Sequence, residues 1–228
     1  MRYVVMIVAM GCFAFAKAQT YEIGIFAGGS NVVGDVGSTQ YVSPRGLTLG
    51  GIVKWNRSTR HSFRASLTGS FLRGDDEDSS DRSRELRGLS FDNKLIEGSI
   101  GIEYNFVDYE LYSGTRQFTP YLYSGLSVIA HSNTMLNSSG TSFRFDGWST
   151  NLAVPLILGM KGPITRHLIV GAEIGVRYTF TDNLDGSNPD NDDSMQRRIG
   201  NLNNNDWFVF TGVTLSYTFG RQPCYCNF

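Results

Sequence analysis

From His167 to Phe180 the side chains alternate without a break. Leu168, Val170, Ala172, Ile174, Val176, Tyr178 and Phe180 fall on one parity, and Ile169, Gly171, Glu173, Gly175, Arg177 and Thr179 on the other. A period of two places successive side chains on opposite faces of a strand. The character of the two faces narrows the choice of sheet. One face is wholly apolar, while the other mixes small, polar and charged groups. In a soluble sandwich the apolar face is hidden and the polar face meets water. A membrane-spanning barrel reverses this, with its apolar face in lipid and its polar face lining a narrow interior.

Seven further segments carry the same signal, at about 21–28, 47–55, 61–72, 91–106, 119–130, 149–160 and 206–219. In 61–72, Phe63, Ala65, Leu67 and Phe71 oppose Arg64, Ser66, Thr68 and Ser70. In 91–106, Ile96, Ile100, Ile102, Tyr104 and Phe106 oppose Glu97, Ser99, Glu103 and Asn105. In 206–219, Trp207, Val209, Val213, Leu215, Tyr217 and Phe219 share the outward parity. Segment 119–130 does not settle its own faces. The connections alternate long (29–46, 73–90, 131–148, 181–205) and short (56–60, 107–118, 161–166). Bacterial barrels pair long outer loops with short periplasmic turns, and an even strand number leaves both termini in the periplasm. The expected fold is therefore all-β: an eight-stranded antiparallel transmembrane barrel in the bacterial outer membrane, whose closure leaves no unpaired edge for lipid to meet. Aromatic residues gather where the girdles of such a wall belong. Trp55, Tyr104, Phe106, Phe118, Tyr217 and Phe219 are expected near the periplasmic interface, and Phe71, Trp148, Tyr178 and Trp207 near the outer one.

Composition agrees with this assignment. Mean hydropathy is slightly negative, as expected when lipid-facing and lumen-facing residues alternate. A net charge of −1 provides no broad basic field for nucleic acid or acidic lipid. Arg2, the apolar run Tyr3 to Phe15 and Ala16-Lys17-Ala18 read as a cleavable signal peptide over 1–18, with a barrel over 19–219 and a tail over 220–228. A second reading makes Cys12 the lipidated residue of a lipoprotein. After cleavage at Ala18, Cys224 and Cys226 are the remaining cysteines, expected in an oxidising compartment.

Strand parity points Glu22, Glu97, Glu103, Glu173, Lys54, Arg64 and Arg177 inward. An eight-stranded barrel is just wide enough for side chains to fill it, so these charges are expected to pair and close the lumen, with an ion-conducting pore as the rival reading. No cofactor or metal is expected, and no catalytic residue. The histidines His61 and His167 fall at the end opposite His131, so His131-Ser132 is a lone neighbouring pair without the third group that orients a base. The loop Thr181 to Asp193 is rich in oxygen ligands that calcium accepts, yet it lacks the spacing of an EF-hand and also reads as a solvated loop. Asp75 to Asp78, followed by Arg82, Arg84 and Arg87, likewise reads as a solvated loop tip. In the tail, residues two apart on an extended chain sit at about the ~7 Å limit of Cα separation that a disulfide accepts. Cys224 and Cys226 are therefore left three fates: a strained ring with each other, a tail-to-tail link between barrels, or capture of a partner thiol.

Three blocks carry a family resemblance: Tyr21-Glu22-Ile23-Gly24-Ile25-Phe26-Ala27-Gly28-Gly29-Ser30-Asn31 with Gly34-Asp35-Val36-Gly37; Glu173 to Asp182 with Leu184-Asp185; and Asn205-Asp206-Trp207 onward to Cys224-Tyr225-Cys226. Together they resemble PorG-type proteins of the Bacteroidetes over nearly the whole mature chain, departing at Asn183, where that family often has Tyr. The resemblance implies an outer-membrane component of the type IX secretion system, which exports proteins and supports gliding motility. It also implies attachment to a periplasmic ring made of a lipoprotein and its companion subunit, with the lipoprotein as the expected partner of Cys224 or Cys226 beside outer-membrane lipid. Two readings stand beside it: a general small barrel with a structural or surface-binding role, and a lipid-modifying enzyme.

Overall fold

The computed structural model describes residues 20–34, 40, 42–111, 117–136, 142–181, 184 and 205–220. The signal segment, Asn183, most of the oxygen-rich loop at 181–193 and the tail with Cys224 and Cys226 lie outside the described residues. Eight strands form: β1 (Thr20–Val33), β2 (Gly46–Asn56), β3 (His61–Asp75), β4 (Ser90–Asn105), β5 (Thr119–Leu136), β6 (Ser142–Pro163), β7 (Leu168–Thr179) and β8 (Trp207–Gly220). Each pairs antiparallel with the next, and β8 returns to β1 to close the barrel. The closing seam is fully in register from Thr20↔Gly220 to Val33↔Trp207, and Tyr21 stacks on Phe219 at 6.0 Å along it. Between β3 and β4 lie a 3-10 turn (Asp76–Asp78) and a short helix, α1 (Arg82–Arg87).

The alternation anticipated in the sequence appears as a wall with two chemistries. Ile23, Ile25, Leu47, Leu49, Val53, Leu67, Ile100, Leu126, Leu152, Leu156, Leu158 and Val213 point outward, each more than half exposed. A soluble monomer rarely shows a contiguous apolar patch beyond a few hundred Å², so a belt around the whole circumference identifies a surface made for lipid. Every strand has at least 11 residues, enough to cross with the ~9–11 residues a tilted strand needs.

The barrel has a turn end and a loop end. At the turn end, which also carries Thr20 and Gly220, the connections are 57–60, 106–118 and 164–167. At the loop end they are 34–45, 76–89, 137–141 and 180–206. The expected long loop at 131–148 is mostly strand. Pairing between β5 and β6 shifts register between Ser132 and Thr134 and then resumes through Leu136↔Ser142. A bulge absorbs the irregularity there, so the Ser- and Asn-rich composition does not end the ladder.

Val209 departs from its expected place on the lipid-facing wall. Its parity is outward, but it is buried, as is its register partner Asn31. Two described residues of the β1–β2 connection lie against β1 here: Asn31 Nδ2 donates to the Gln40 carbonyl, and Pro44 packs where a Cβ on Gly29 would sit. A side chain at position 29 would push Pro44 away.

Candidate functional site

The interior divides into an ionic layer toward the turn end and an apolar layer toward the loop end. In the ionic layer, β2 and β3 place Lys54 and Arg64 side by side in register, and both reach across the lumen. Lys54 Nζ lies 2.7 Å from Glu103 Oε2 on β4. Lys54 Nζ donates to Oε1 of the same carboxylate at 2.9 Å, and Lys161 Nζ on β6 donates to that oxygen at 2.5 Å. Arg64 forms a two-pronged pair with Glu173 on β7, at 2.8 and 2.9 Å, and its Nη1 stands 3.5 Å from Glu103. The Tyr121 hydroxyl donates to Glu173 at 2.6 Å, and the Arg64 guanidinium lies 4.9 Å from the centre of the Tyr123 ring. Arg64 stands opposite Gly101 in the β3–β4 register, where the missing side chain leaves room for the guanidinium and the tyrosine.

Two smaller groups extend this layer. Toward the turn end, Glu22 Oε1 accepts from Asn56 Nδ2 at 2.8 Å, and Asn56 Oδ1 in turn accepts from Ser62 Oγ at 2.6 Å. Toward the middle, Arg177 Nε donates to Glu97 at 3.3 Å and its guanidinium lies 4.3 Å from the Phe210 ring centre. The buried charges carried by the strands are thus four carboxylates (Glu22, Glu97, Glu103, Glu173) and four cations (Lys54, Arg64, Lys161, Arg177). The strand-borne charges sum to zero, and all but Glu22, which accepts from the Asn56 amide, have an ion-pair partner across the lumen, the condition under which burial is tolerable.

The structure places all seven sequence-derived lumen residues inside. It joins four of them, Lys54, Arg64, Glu103 and Glu173, into one cluster together with Lys161 and Tyr121. Glu97 and Arg177 form a separate pair, and Glu22 turns to an amide. Lys161, Tyr121 and Tyr123 are absent from the sequence-derived set. Lys161 shares the parity of Ile157 and Gly159, but its place at the edge of a short connection hides that signal. The two tyrosines lie in the segment whose faces the sequence leaves unresolved.

The loop-side half holds an apolar cluster in place of this network. Phe26, Val32, Ile52, Leu72, Phe91, Leu95, Ile129, Ala153, Phe208 and Phe210 meet there with Leu89 and Leu184 from the connections. The expected closure of the lumen by paired charges is corrected at this end, where an apolar core fills the barrel instead.

At both mouths described residues from outside the strands pack inward. At the loop end Leu184 is fully buried: its N–H donates to Asp206 Oδ2 and its carbonyl accepts from Asn93 Nδ2, each at 2.8 Å. At the turn end the β4–β5 connection, expected as a plain turn, folds under the barrel. Tyr109 and Leu111 are buried against Ile169, and Lys161 Nζ lies 5.2 Å from the Tyr109 ring centre. Burial, then the Glu22 and Glu103 carboxylates, hold the Tyr109 phenol above its ordinary pKa. The connection is tied down from outside by Arg60, which grips both oxygens of Asp108 at 2.7 and 2.9 Å. Backbone bonds from Asn105 N to Arg60 O and from Tyr109 N to Thr59 O lock the same two connections together. The Arg60 hydrogen bond, followed by that from Thr59, lowers the Asp108 carboxyl to about 2.

The three histidines stay apart. His61 meets the Tyr104 ring at 5.1 Å, and His167 stacks on Tyr217 at 5.7 Å. His131 is fully buried at the other end, its Nε2 3.2 Å from Asn151 Nδ2. The neighbouring Ser132 hydroxyl donates to Asn93 Oδ1 at 2.7 Å. Among the described residues no three His, Cys, Asp or Glu side chains are grouped to hold a metal ion.

The chain belongs to the family described as Domain of unknown function (DUF6089), whose profile matches residues 1–228. No curated protein sequence matches it. Solved structures with a similar strand arrangement include the N-terminal β-barrel domain of Pseudomonas aeruginosa OprF, at 14% identity and TM-score 0.46, covering 88% of this chain and 97% of that one. Neisserial surface protein A is similar at 12% identity and TM-score 0.47, covering 89% and 98%. A major outer membrane protein from Thermus thermophilus is similar at 13% identity and TM-score 0.46, covering 89% and 100%.

Proposed function

We propose that this member of the DUF6089 family is a non-conducting, non-enzymatic outer-membrane barrel whose turn end faces the periplasm and anchors a periplasmic secretion assembly. The observation that carries the reading is the filled lumen: an ionic layer, an apolar layer, and Leu184 at one mouth and Tyr109 with Leu111 at the other packed inward. Such an interior suits a membrane anchor better than a channel. Its buried His131 and Ser132 also lack the access that a hydrolase nucleophile needs. The turn end is a firm platform, because Arg60, Thr59 and Asn105 fasten the β4–β5 connection in place. The resemblance to PorG-type proteins supplies the identity of the assembly, the type IX secretion system, and of the partner, its ring lipoprotein. Cys224 and Cys226 follow in sequence from β8, which ends at the turn end, and are the residues assigned to partner capture by a disulfide.

The test is a cross-linked pull-down from membranes, run on non-reducing gels. A heavier band containing a periplasmic lipoprotein, lost in a Cys224→Ala/Cys226→Ala double variant, is the expected result. Monomer alone, with full secretion in the double variant, overturns the reading.

One feature favours the general barrel with surface binding as a second reading. The β3–β4 connection at the loop end is built rather than loose: Asp81 caps α1 by accepting from Ser83 N at 2.9 Å, and Gly88 ends it in the left-handed region at φ 63°. It leaves Leu86 77% exposed. Loss of surface binding in a Leu86→Ala variant, with secretion intact, would favour that reading.

A further inference from the structure

The lipid-facing wall is not uniformly convex. A groove of about 580 Å³ runs across β2 to β5 on the turn-end half of the barrel, lined chiefly by Trp55, Phe63, Ala65, Ile100, Ser124 and Leu126. Its origin lies in the register. Ala65 sits between Val53 and Ile100, and Ser124 faces Ile102, so two short side chains interrupt rows of large ones. Beneath them Gly101 pairs with Gly125. A Cβ on Gly101 would collide with the Ser124 carbonyl, and one on Gly125 with the Ile100 carbonyl. The two glycines bring the β4 and β5 backbones together and form the floor of the depression.

A second observation points to what fills it. Arg57 follows Trp55 by two residues and lies one residue past the end of β2, where its N–H donates to the His61 carbonyl at 3.0 Å, so its backbone sits about 7 Å beyond Trp55 toward the turn end. It is exposed, and among the described residues no carboxylate pairs with it, whereas neighbouring Arg60 is held by Asp108. An apolar groove at hydrocarbon depth, topped by an unpaired guanidinium at head-group depth, has the chemistry of one amphiphile carrying a phosphate above an acyl chain. We infer that this groove is a binding site for a single anionic glycerophospholipid, its acyl chain over Ala65 and Ser124 and its phosphate on Arg57. The inference rests on the reading that the turn end faces the periplasm, where the leaflet of an outer membrane is phospholipid. An arginine suits the role because its planar donors meet two phosphate oxygens at once.

The full-length protein, purified folded in detergent, is titrated with phosphatidylglycerol, with diacylglycerol and with glycerol phosphate, and bound lipid is counted by native mass spectrometry. Unmutated protein is expected to hold one phosphatidylglycerol and to ignore glycerol phosphate. Ala65→Phe fills the groove and should lose both lipids. Arg57→Gln should weaken phosphatidylglycerol by about tenfold, the size of one charge-assisted contact, while leaving diacylglycerol unchanged. Retention of phosphatidylglycerol by Ala65→Phe at the unmutated level overturns the groove, and equal affinity in Arg57→Gln overturns the head-group contact. Heat-modifiable gel migration shows that each variant is folded. The titration in detergent does not depend on orientation or secretion. Labelling of Arg57→Cys on intact cells by an impermeant thiol reagent would therefore sink the periplasmic assignment without touching the lipid site.

Discussion

Glu103 is the centre of the ionic layer, and neutralising it tests the filled-lumen argument most directly. Its carboxylate receives Lys54 at 2.7 Å and Lys161 at 2.5 Å, with Arg64 at 3.5 Å, and its side chain is fully buried. Glu103→Gln keeps the shape and removes the charge, leaving four buried cations on the strands against three strand-borne carboxylates. Breaking a buried ion pair costs on the order of 3–5 kcal/mol, because the surviving charge stays desolvated without compensation. With a slope of about 2 kcal/mol per molar urea, the unfolding midpoint should fall by roughly 2 M. The assay is urea unfolding of the barrel in lipid vesicles, followed by the fluorescence of Trp55, Trp148 and Trp207 and by heat-modifiable migration. Asp92→Asn is the control: it breaks the exposed Arg73–Asp92 pair, also 2.7 Å long, and should cost no more than about 1 kcal/mol. A double variant Glu103→Gln/Lys161→Met restores the balance at three and three and should recover part of the loss. If Glu103→Gln unfolds at the same urea concentration as Asp92→Asn, or if the double variant is worse than the single one, the charge-balance argument is wrong.

Three further outcomes are expected. The unmutated protein should pass no steady current in planar bilayers, and a stable single-channel current would overturn the filled-barrel reading. Gly101→Val should prevent formation of the folded gel band or cost at least the ~1–3 kcal/mol of overpacking, because its Cβ would meet the Ser124 carbonyl; Gly69→Ala, with open space at its Cβ, should stay within about 0.5 kcal/mol of the unmutated protein. The third concerns Asp108, whose folded pKa of about 2 lies below the ordinary 3.8. Its contact with Arg60 therefore stabilises the turn end above pH ~4 and is lost as pH falls from about 4 toward 2. Carboxyl NMR should find that Arg60→Ala returns Asp108 toward 3.8; an unmoved Asp108 would refute the contact.

The wall was legible in the sequence because a strand's side chains alternate by stereochemistry alone. Glu173 and Arg177 on one parity, with Ile174 and Tyr178 on the other, already state which face meets lipid, and the same rule put Lys54, Arg64 and Glu103 inside. Eight segments of alternating side chains supplied the strand count. Parity says which way a side chain points but not what lies across the lumen. That Arg64 on β3 grips Glu173 on β7, and that Lys161 completes the balance around Glu103, follow from closure, which brings together residues over a hundred positions apart. The same limit applies where chain outside the ladder folds back. Val209 is outward by parity yet buried beside Asn31, which bonds the Gln40 carbonyl of the β1–β2 connection, and Leu184, Tyr109 and Leu111 are buried although they come from segments that read as ordinary loops. The sequence by itself determined a barrel with a lipid face and a charged interior, because period two is local. The partners of those charges, the apolar half of the core, the packing at the mouths and the outer groove were decided by tertiary structure, because each depends on which distant strands closure sets side by side.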